Sequence, residues 1–166
     1  MLFEASTLIN DISIPLDTVN YYKAIALHGL NRFDKAMDIF LEVKNNIYNK
    51  CKFEGIDPIE DSRYINILTS AIGCSRDMND SDKVIELVNE FLNIEADNVD
   101  ANILIAEAYT LQKDFNNSLK FYLKADSISP ENKEIQKKIA TMFTLLGNQK
   151  KAEEWLFKMA GISNLP

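Results

Sequence analysis

Three stretches of this chain begin 34 residues apart, at Ile65, Val99 and Lys133, and place like residues at like positions. A fixed period of that length constrains the fold more than any composition does. It marks an array of one supersecondary unit. The best-formed unit, Val99 to Asn132, reads VDANILIAEAYTLQKDFNNSLKFYLKADSISPEN. Ala106, Tyr109, Phe115, Ser118, Tyr122, Ala125 and Pro130 fall at its positions 8, 11, 17, 20, 24, 27 and 32. Apolar residues at that spacing give two amphipathic helices in a hairpin, with a proline-marked turn to the next. One such hairpin cannot bury its apolar face alone, so neighbouring units must stack.

The unit from Lys133 carries Ala140, Phe143, Leu146, Gly147, Ala152, Leu156 and Met159 at positions 8, 11, 14, 15, 20, 24 and 27. Gly147 suits a helix C-cap. The unit from Ile65 carries Leu68, Ile72, Met78, Val84, Val88 and Phe91 at core positions, with Ser75 and Ser81 where large apolar residues are usual. An earlier unit starts at Asp17 with Ala24, Leu27, Leu30, Phe33, Ala36, Phe40 and Val43 in register. From Asp17 to Ile65 is 48 residues, so 14 have been inserted. No breaker interrupts the second helix of this unit between Arg32 and about Phe53, and Gly55 follows. Asp57-Pro58-Ile59-Glu60 reads as the start of the next helix, with Asp57 as cap and Pro58 at the first position. The insertion is thus expected to lengthen both arms of a hairpin by about two turns each.

These residues resemble the tetratricopeptide repeat (TPR), and the resemblance implies an all-α fold. That fold is a right-handed α-α superhelix, a TPR solenoid, of about eight to nine antiparallel helices. The expected organisation is one domain. Residues 1–14 form a partial repeat or N-terminal helix, and 17–57 a first repeat with a lengthened second helix. Residues 58–98 form a second repeat with a lengthened first helix, followed by repeats at 99–132 and 133–166. The small residues Ala36, Ala106, Ser118 and Ala152 are expected where paired helices approach, with Val84 separating its pair slightly. In the family, partners lie on the concave face built from first helices. Carried over position by position, that face comprises Thr18, Tyr21, Ile25 and His28, then Asn66, Thr69, Gly73 and Arg76. It continues with Asp100, Ile103, Glu107 and Thr110, and ends with Glu134, Lys137, Thr141 and Thr144. The carboxylate clamp by which some TPR proteins grip chaperone tails needs Lys and Asn at fixed positions. It is absent in every register: Tyr21/Ile25, Thr69/Gly73, Ile103/Glu107 and Lys137/Thr141 stand there instead.

Net charge is −7, which argues against the basic face that nucleic acid requires. The charge is uneven. Residues 1–53 are neutral, residues 54–132 hold sixteen acidic and six basic groups, and residues 133–166 hold six basic and three acidic. Such asymmetry suits a charge-steered partner or head-to-tail association, although a solvated helix surface explains it as well. Cys51 and Cys74 form no CxxC motif, so zinc and redox chemistry lack support and two free thiols in a reducing compartment are expected. No leader-like segment and no apolar run of about 20 residues is found, so a soluble, cytoplasmic protein without membrane insertion is expected.

His28 is the only histidine and has no paired ligand or nucleophile, and there is no phosphate loop, HExxH or GxSxG motif. Neither an enzyme nor a cofactor is expected. Residues 2–12, LFEASTLINDI, set Leu2, Ala5, Leu8, Ile9 and Ile12 on one side and read as a short amphipathic helix. In register it matches the second helix of a preceding, incomplete repeat, so Met1 need not be the natural start. At the other end no further amphipathic helix follows Gly161, and a solenoid normally closes with a polar cap. Trp155, Leu156 and Met159 are therefore expected to form an end-on interface, with a symmetric copy or with more of a longer chain. The functional expectation is a scaffold or adaptor holding a protein or peptide segment in the concave groove. The alternatives are a regulatory or targeting part of a larger enzyme or assembly, and a peptide-responsive regulator.

Overall fold

The computed structural model describes residues 14–162. Among them are eight α-helices and no strand: α1 Leu16–Gly29, α2 Phe33–Glu54, α3 Ser62–Asp77, α4 Ser81–Leu92, α5 Val99–Leu111, α6 Phe115–Ile128, α7 Lys133–Leu145 and α8 Gln149–Ala160. The expected helix at 2–12 lies outside the described residues. The chain divides into two compact units, up to Cys74 and from Ser75 onward.

In the first unit α1 packs on α2. The turn between them is made by Asn31, at φ 57°. Its N–H donates to His28 O at 2.9 Å, and the N–H of Arg32 donates to Leu27 O at 2.9 Å. A left-handed residue followed by such a reversed bond closes a helix and satisfies its last carbonyls. Helix α2 then runs for 22 residues. Ala36, Phe40, Val43, Ile47 and Cys51 along it are all buried, so one continuous stripe explains its length. It stops at Gly55, φ 72°, where glycine tolerates the left-handed backbone.

The expectation of two equally extended arms is corrected here. Helix α2 is lengthened, but α3 has 16 residues against 13 in α5 and α7. Asp57-Pro58-Ile59-Glu60 does not open that helix. Asp57 Oδ1 accepts from Ile59 N–H, yet the result is a single 3-10 turn, Pro58–Glu60. The backbone then extends at Asp61, ψ 106°. Asp61 is the competitor: its Oδ1 accepts from Arg63 N–H at 2.9 Å and its carbonyl from Tyr64 N–H at 2.9 Å. Two capping aspartates four residues apart cannot both open one helix, and the second one does.

In the second unit each helix packs on the next, α4 on α5, α5 on α6, α6 on α7 and α7 on α8. The turns repeat the α1–α2 turn. Asn79, Lys113 and Gly147 have φ of 56°, 61° and 76°. The following residues Asp80, Asp114 and Asn148 donate N–H to Ser75, Tyr109 and Phe143 carbonyls at 2.8–3.0 Å. The same three side chains then cap the next helix, accepting from Lys83, Asn117 and Lys151 N–H. Asn98 and Asn132 cap the first helices of their repeats in the same way.

Beside those two caps lies a second pair in register. Asn102 and Gln136 are buried. Asn102 Nδ2 donates to Ala96 O at 3.3 Å and Asn98 O at 2.8 Å, and Gln136 Nε2 donates to Pro130 O at 2.6 Å. Each amide pins the loop that leads into its own helix. A core of Ala106, Tyr122, Ala125, Ile135, Ile139, Met142, Phe143 and Ala152 joins α5 to α8. Ala36, Ala106, Ser118 and Ala152 are buried, as expected for close helix approach, and the bulkier Val84 is buried at the equivalent position. Full burial of a large side chain such as Phe40 or Tyr122 stabilises by about 1.5–3 kcal/mol.

Candidate functional site

In the first unit, α1, α2 and α3 enclose a cavity of about 220 Å³. Thr18, Tyr21 and Asn66, three of the expected groove residues, line it. Val43, Ile47 and Ile67 form an apolar floor, and Tyr22, Asp17 and Arg63 complete the wall. Ile47 joins this floor because α2 continues past the usual end of a second helix. Sequence reading missed Asp17, Tyr22 and Arg63, because they fall outside the positions transferred from the family pattern.

The polar groups at the mouth are held in place. Asn46 Nδ2 donates to Asp17 Oδ1 at 3.0 Å, and Tyr21 OH lies 3.2 Å from Ser70 Oγ. The Arg63 guanidinium forks onto both oxygens of Asp61. That hydrogen bonding holds the Asp61 carboxyl below the usual carboxylate range and raises the Arg63 guanidinium further. Behind Asp61, burial pushes the Cys51 thiol up, and the carboxylates of Asp61 and Glu54 add to it. Cys51 is therefore a neutral core residue and a poor nucleophile. The cavity can accept one large apolar side chain, with Thr18, Asn66 and a fixed acid–base pair at its rim.

The other expected groove residues of this unit differ. Ile25 is exposed, His28 sits with its ring 5.5 Å from that of Phe33, and Thr69 Oγ1 donates to Ile65 O.

In the second unit a smaller cavity of about 90 Å³ is lined by Arg76 and Glu107 with Leu104, Ala108 and Leu111. Glu107 also accepts from Lys138 Nζ at 3.4 Å, linking α5 to α7. Thr110 is drawn into packing instead: its Oγ1 donates to Ala106 O at 2.9 Å and lies 2.7 Å from Ser118 Oγ. Ser118 Oγ in turn lies 3.2 Å from Met142 Sδ. Ile103 packs against the core. Asp100, Glu134, Lys137, Thr141 and Thr144 are exposed, and the two threonines bond back to their own helix. Burial pushes the Tyr122 phenol up to about 12, with Glu107 adding to it, so it stays neutral.

At the C-terminal end Trp155 packs against the core, with Lys158 Nζ 4.1 Å above its ring. Met159 is half-buried, and Leu156 is the most exposed of the three at 44%. Among the described residues, no group of three or more His, Cys, Asp or Glu could hold a metal ion, and no helix is long and apolar enough to cross a membrane.

The comparisons with known proteins agree on the fold. A family model described as a tetratricopeptide repeat matches residues 99–132. No curated protein sequence matches the chain. Among solved structures, MamA residues 41 to the end, from Desulfovibrio magneticus RS-1, superimposes with a TM-score of 0.65 at 15% identity, over 88% of this chain and 75% of that one. Another MamA crystal structure gives 0.64 at 14% identity over 92% and 77%. A structure of nearly identical TPR-like repeats from Podosopora anserina gives 0.68 at 13% identity over 97% and 83%. At such identities the likeness carries the fold alone. With the repeating turns and caps and the matched unit at 99–132, it gives this chain an all-α tetratricopeptide-repeat fold.

Proposed function

We propose that the chain is an adaptor that holds a peptide segment of a partner protein against its first helices and seats one large apolar side chain of that peptide in the α1–α2–α3 cavity. The cavity itself carries this reading. It is concave, floored by Val43, Ile47 and Ile67, and rimmed by groups able to hold a peptide backbone. Asn66 offers an amide and Thr18 a hydroxyl for that backbone. Arg63 and Asp17 are each paired within the chain, so the partner need not supply a charge there. In the second unit Arg76 and Glu107, of opposite sign, line the smaller cavity with Leu104 and Leu111.

Chemical-shift mapping with peptides selected from a displayed library tests this. The expected result is perturbation of Thr18, Tyr21, Asn66 and Ile67, by peptides sharing a Leu, Met or Phe. Shifts confined to α6 and α8, or no enriched peptide, would reject it.

A further inference from the structure

The charged groups at the mouth of the α1–α2–α3 cavity are paired in unlike ways. Arg63 has a partner of opposite charge, because its guanidinium forks onto both oxygens of Asp61. Asp17 has only a neutral one. Its Oδ1 accepts from the Asn46 amide at 3.0 Å, and its Oδ2 has no partner among the described residues. The Arg63 guanidinium is raised first by its hydrogen bond to Asp61 and, more weakly, by the charge of Asp17, so the three groups share one field. Two carboxylates against one guanidinium leave a single uncompensated negative charge. It sits in the first turn of α1, where backbone N–H groups stabilise a carboxylate without neutralising it.

The surroundings of Asp17 suit a cation. Positions four apart on a helix share a face, which sets Asp17 with Tyr21 and Thr18 with Tyr22. All four line the cavity. The Tyr21 and Tyr22 rings stand 5.4 Å apart, tilted by 55°. Aromatic faces attract a cation within about 6 Å of the ring centre. A long basic side chain can also lay its methylene stem on such rings while its charged head stays in water. Val43, Ile47 and Ile67 remain beneath for the apolar side chain.

We infer that the partner segment carries a Lys or Arg within two residues of the apolar side chain seated in the cavity, and that Asp17 selects it. The inference rests on the proposed peptide function and adds the sign of the partner's charge. Seating does not require a charge, but its sign matters. A carboxylate would meet a rim that is already negative, whereas a cation completes the pairing. The chain as a whole is acidic, at −7, and draws any basic peptide weakly. The part of the preference that depends on one side chain belongs to Asp17.

Nuclear magnetic resonance titration with three blocked peptides, Ser-Gly-Phe-Ser-X-Gly with X as Lys, Gln or Glu, tests this. At low salt the Lys peptide should bind about threefold tighter than the Gln peptide, and the Glu peptide about threefold weaker, as for a well-placed exposed ion pair. High salt should narrow both gaps. Asp17→Asn keeps the acceptor for Asn46 and should bring the three affinities together. Glu131→Gln removes the same charge from an exposed position in the second unit and should leave the gaps as in the parent. Equal affinities in the parent, with shifts still at Thr18, Tyr21 and Asn66, would overturn this inference and leave the peptide function standing. A preference that survives Asp17→Asn would overturn it too. Failure of all three peptides to shift those residues at millimolar concentration would reject the peptide function, and this inference with it.

Discussion

Asn31 and Asn79 turn the chain with the same left-handed backbone, φ 57° and 56°, although 48 residues separate them. Asn79, Lys113 and Gly147 follow one another at the regular interval of 34. The insertion has therefore left the turns in register and gone into the helical arms between them. Most of it extends α2, three residues lengthen α3, and the rest falls in the connection that holds the 3-10 turn.

The comparison exposes a missing cap. Asp80, Asp114 and Asn148 follow their turns and accept a backbone N–H three residues on. The equivalent residue of the first turn is Arg32, with φ −93° and ψ 59° and no side-chain cap bond. Arg32→Asp should supply it and stabilise the protein by about 1 kcal/mol. That corresponds to a rise in melting temperature of roughly 2–4 °C for a domain of this size. Thermal unfolding followed by circular dichroism measures it, and an unchanged or lower midpoint would show that the turn cannot use a cap.

The buried amides of Asn102 and Gln136 make the same bond 34 residues apart, each to a carbonyl six residues earlier. Gln136→Leu keeps the bulk but strips the Pro130 carbonyl of its donor. A cost of about 1–3 kcal/mol is expected, read from the denaturant midpoint. Glu131→Gln beside it, on the exposed loop, should lie within about 0.5 kcal/mol of the parent.

Asp61 has its carboxyl pKa lowered from 3.8, first by hydrogen bonding from Arg63. A carboxylate lowered in the folded state adds stability that is present above its unfolded pKa and disappears as pH falls through its folded one. Asp61→Asn should therefore reduce stability at pH 7 and flatten the acid limb below about pH 4, where parent and variant converge. Urea midpoints between pH 2 and pH 7 report both effects. Curves that stay parallel throughout would mean that the Arg63 fork contributes nothing.

The Lys158 ammonium bonds the buried Asp126 at 2.7 Å and covers the Trp155 ring. Asp126 Oδ1 has no partner among the described residues. Lys158→Met leaves the carboxylate buried without a counter-charge. A loss of about 1–3 kcal/mol is expected, less than for a fully buried pair because the lysine is partly exposed. Asp126→Asn in the same chain should restore part of it. Tryptophan emission, which reports the Trp155 surroundings, should shift in the single variant.

The register of the repeats was legible because alanine and aromatic positions recur at fixed spacing. The caps were equally legible, since Asn98 and Asn132 stand directly before Val99 and Lys133. The break at Pro58–Glu60 was not legible. Asp57-Pro58 carries every mark of a helix start, and only the competing cap at Asp61 decides otherwise. Of the groove, spacing identified the helix face but not the fate of each side chain. The Thr69, Thr141 and Thr144 hydroxyls bond back to their own helices, and Thr110 packs inward onto Ser118. The cavity floor was only half legible: Val43 stands at an ordinary core position, but Ile47 belongs to the lengthened part of α2, which a pattern built on ordinary repeats does not contain.

Peptide affinity in a cavity-filling variant tests the central claim most directly. Asn66→Trp places a bulky side chain at the cavity mouth from an exposed position, and Phe53→Ser alters a 93% exposed residue away from it. With a library-selected peptide carrying one large apolar residue, the account predicts that Asn66→Trp weakens binding at least tenfold while Phe53→Ser leaves it unchanged. Undiminished affinity in the Asn66→Trp chain, with its fold intact by circular dichroism, would contradict it.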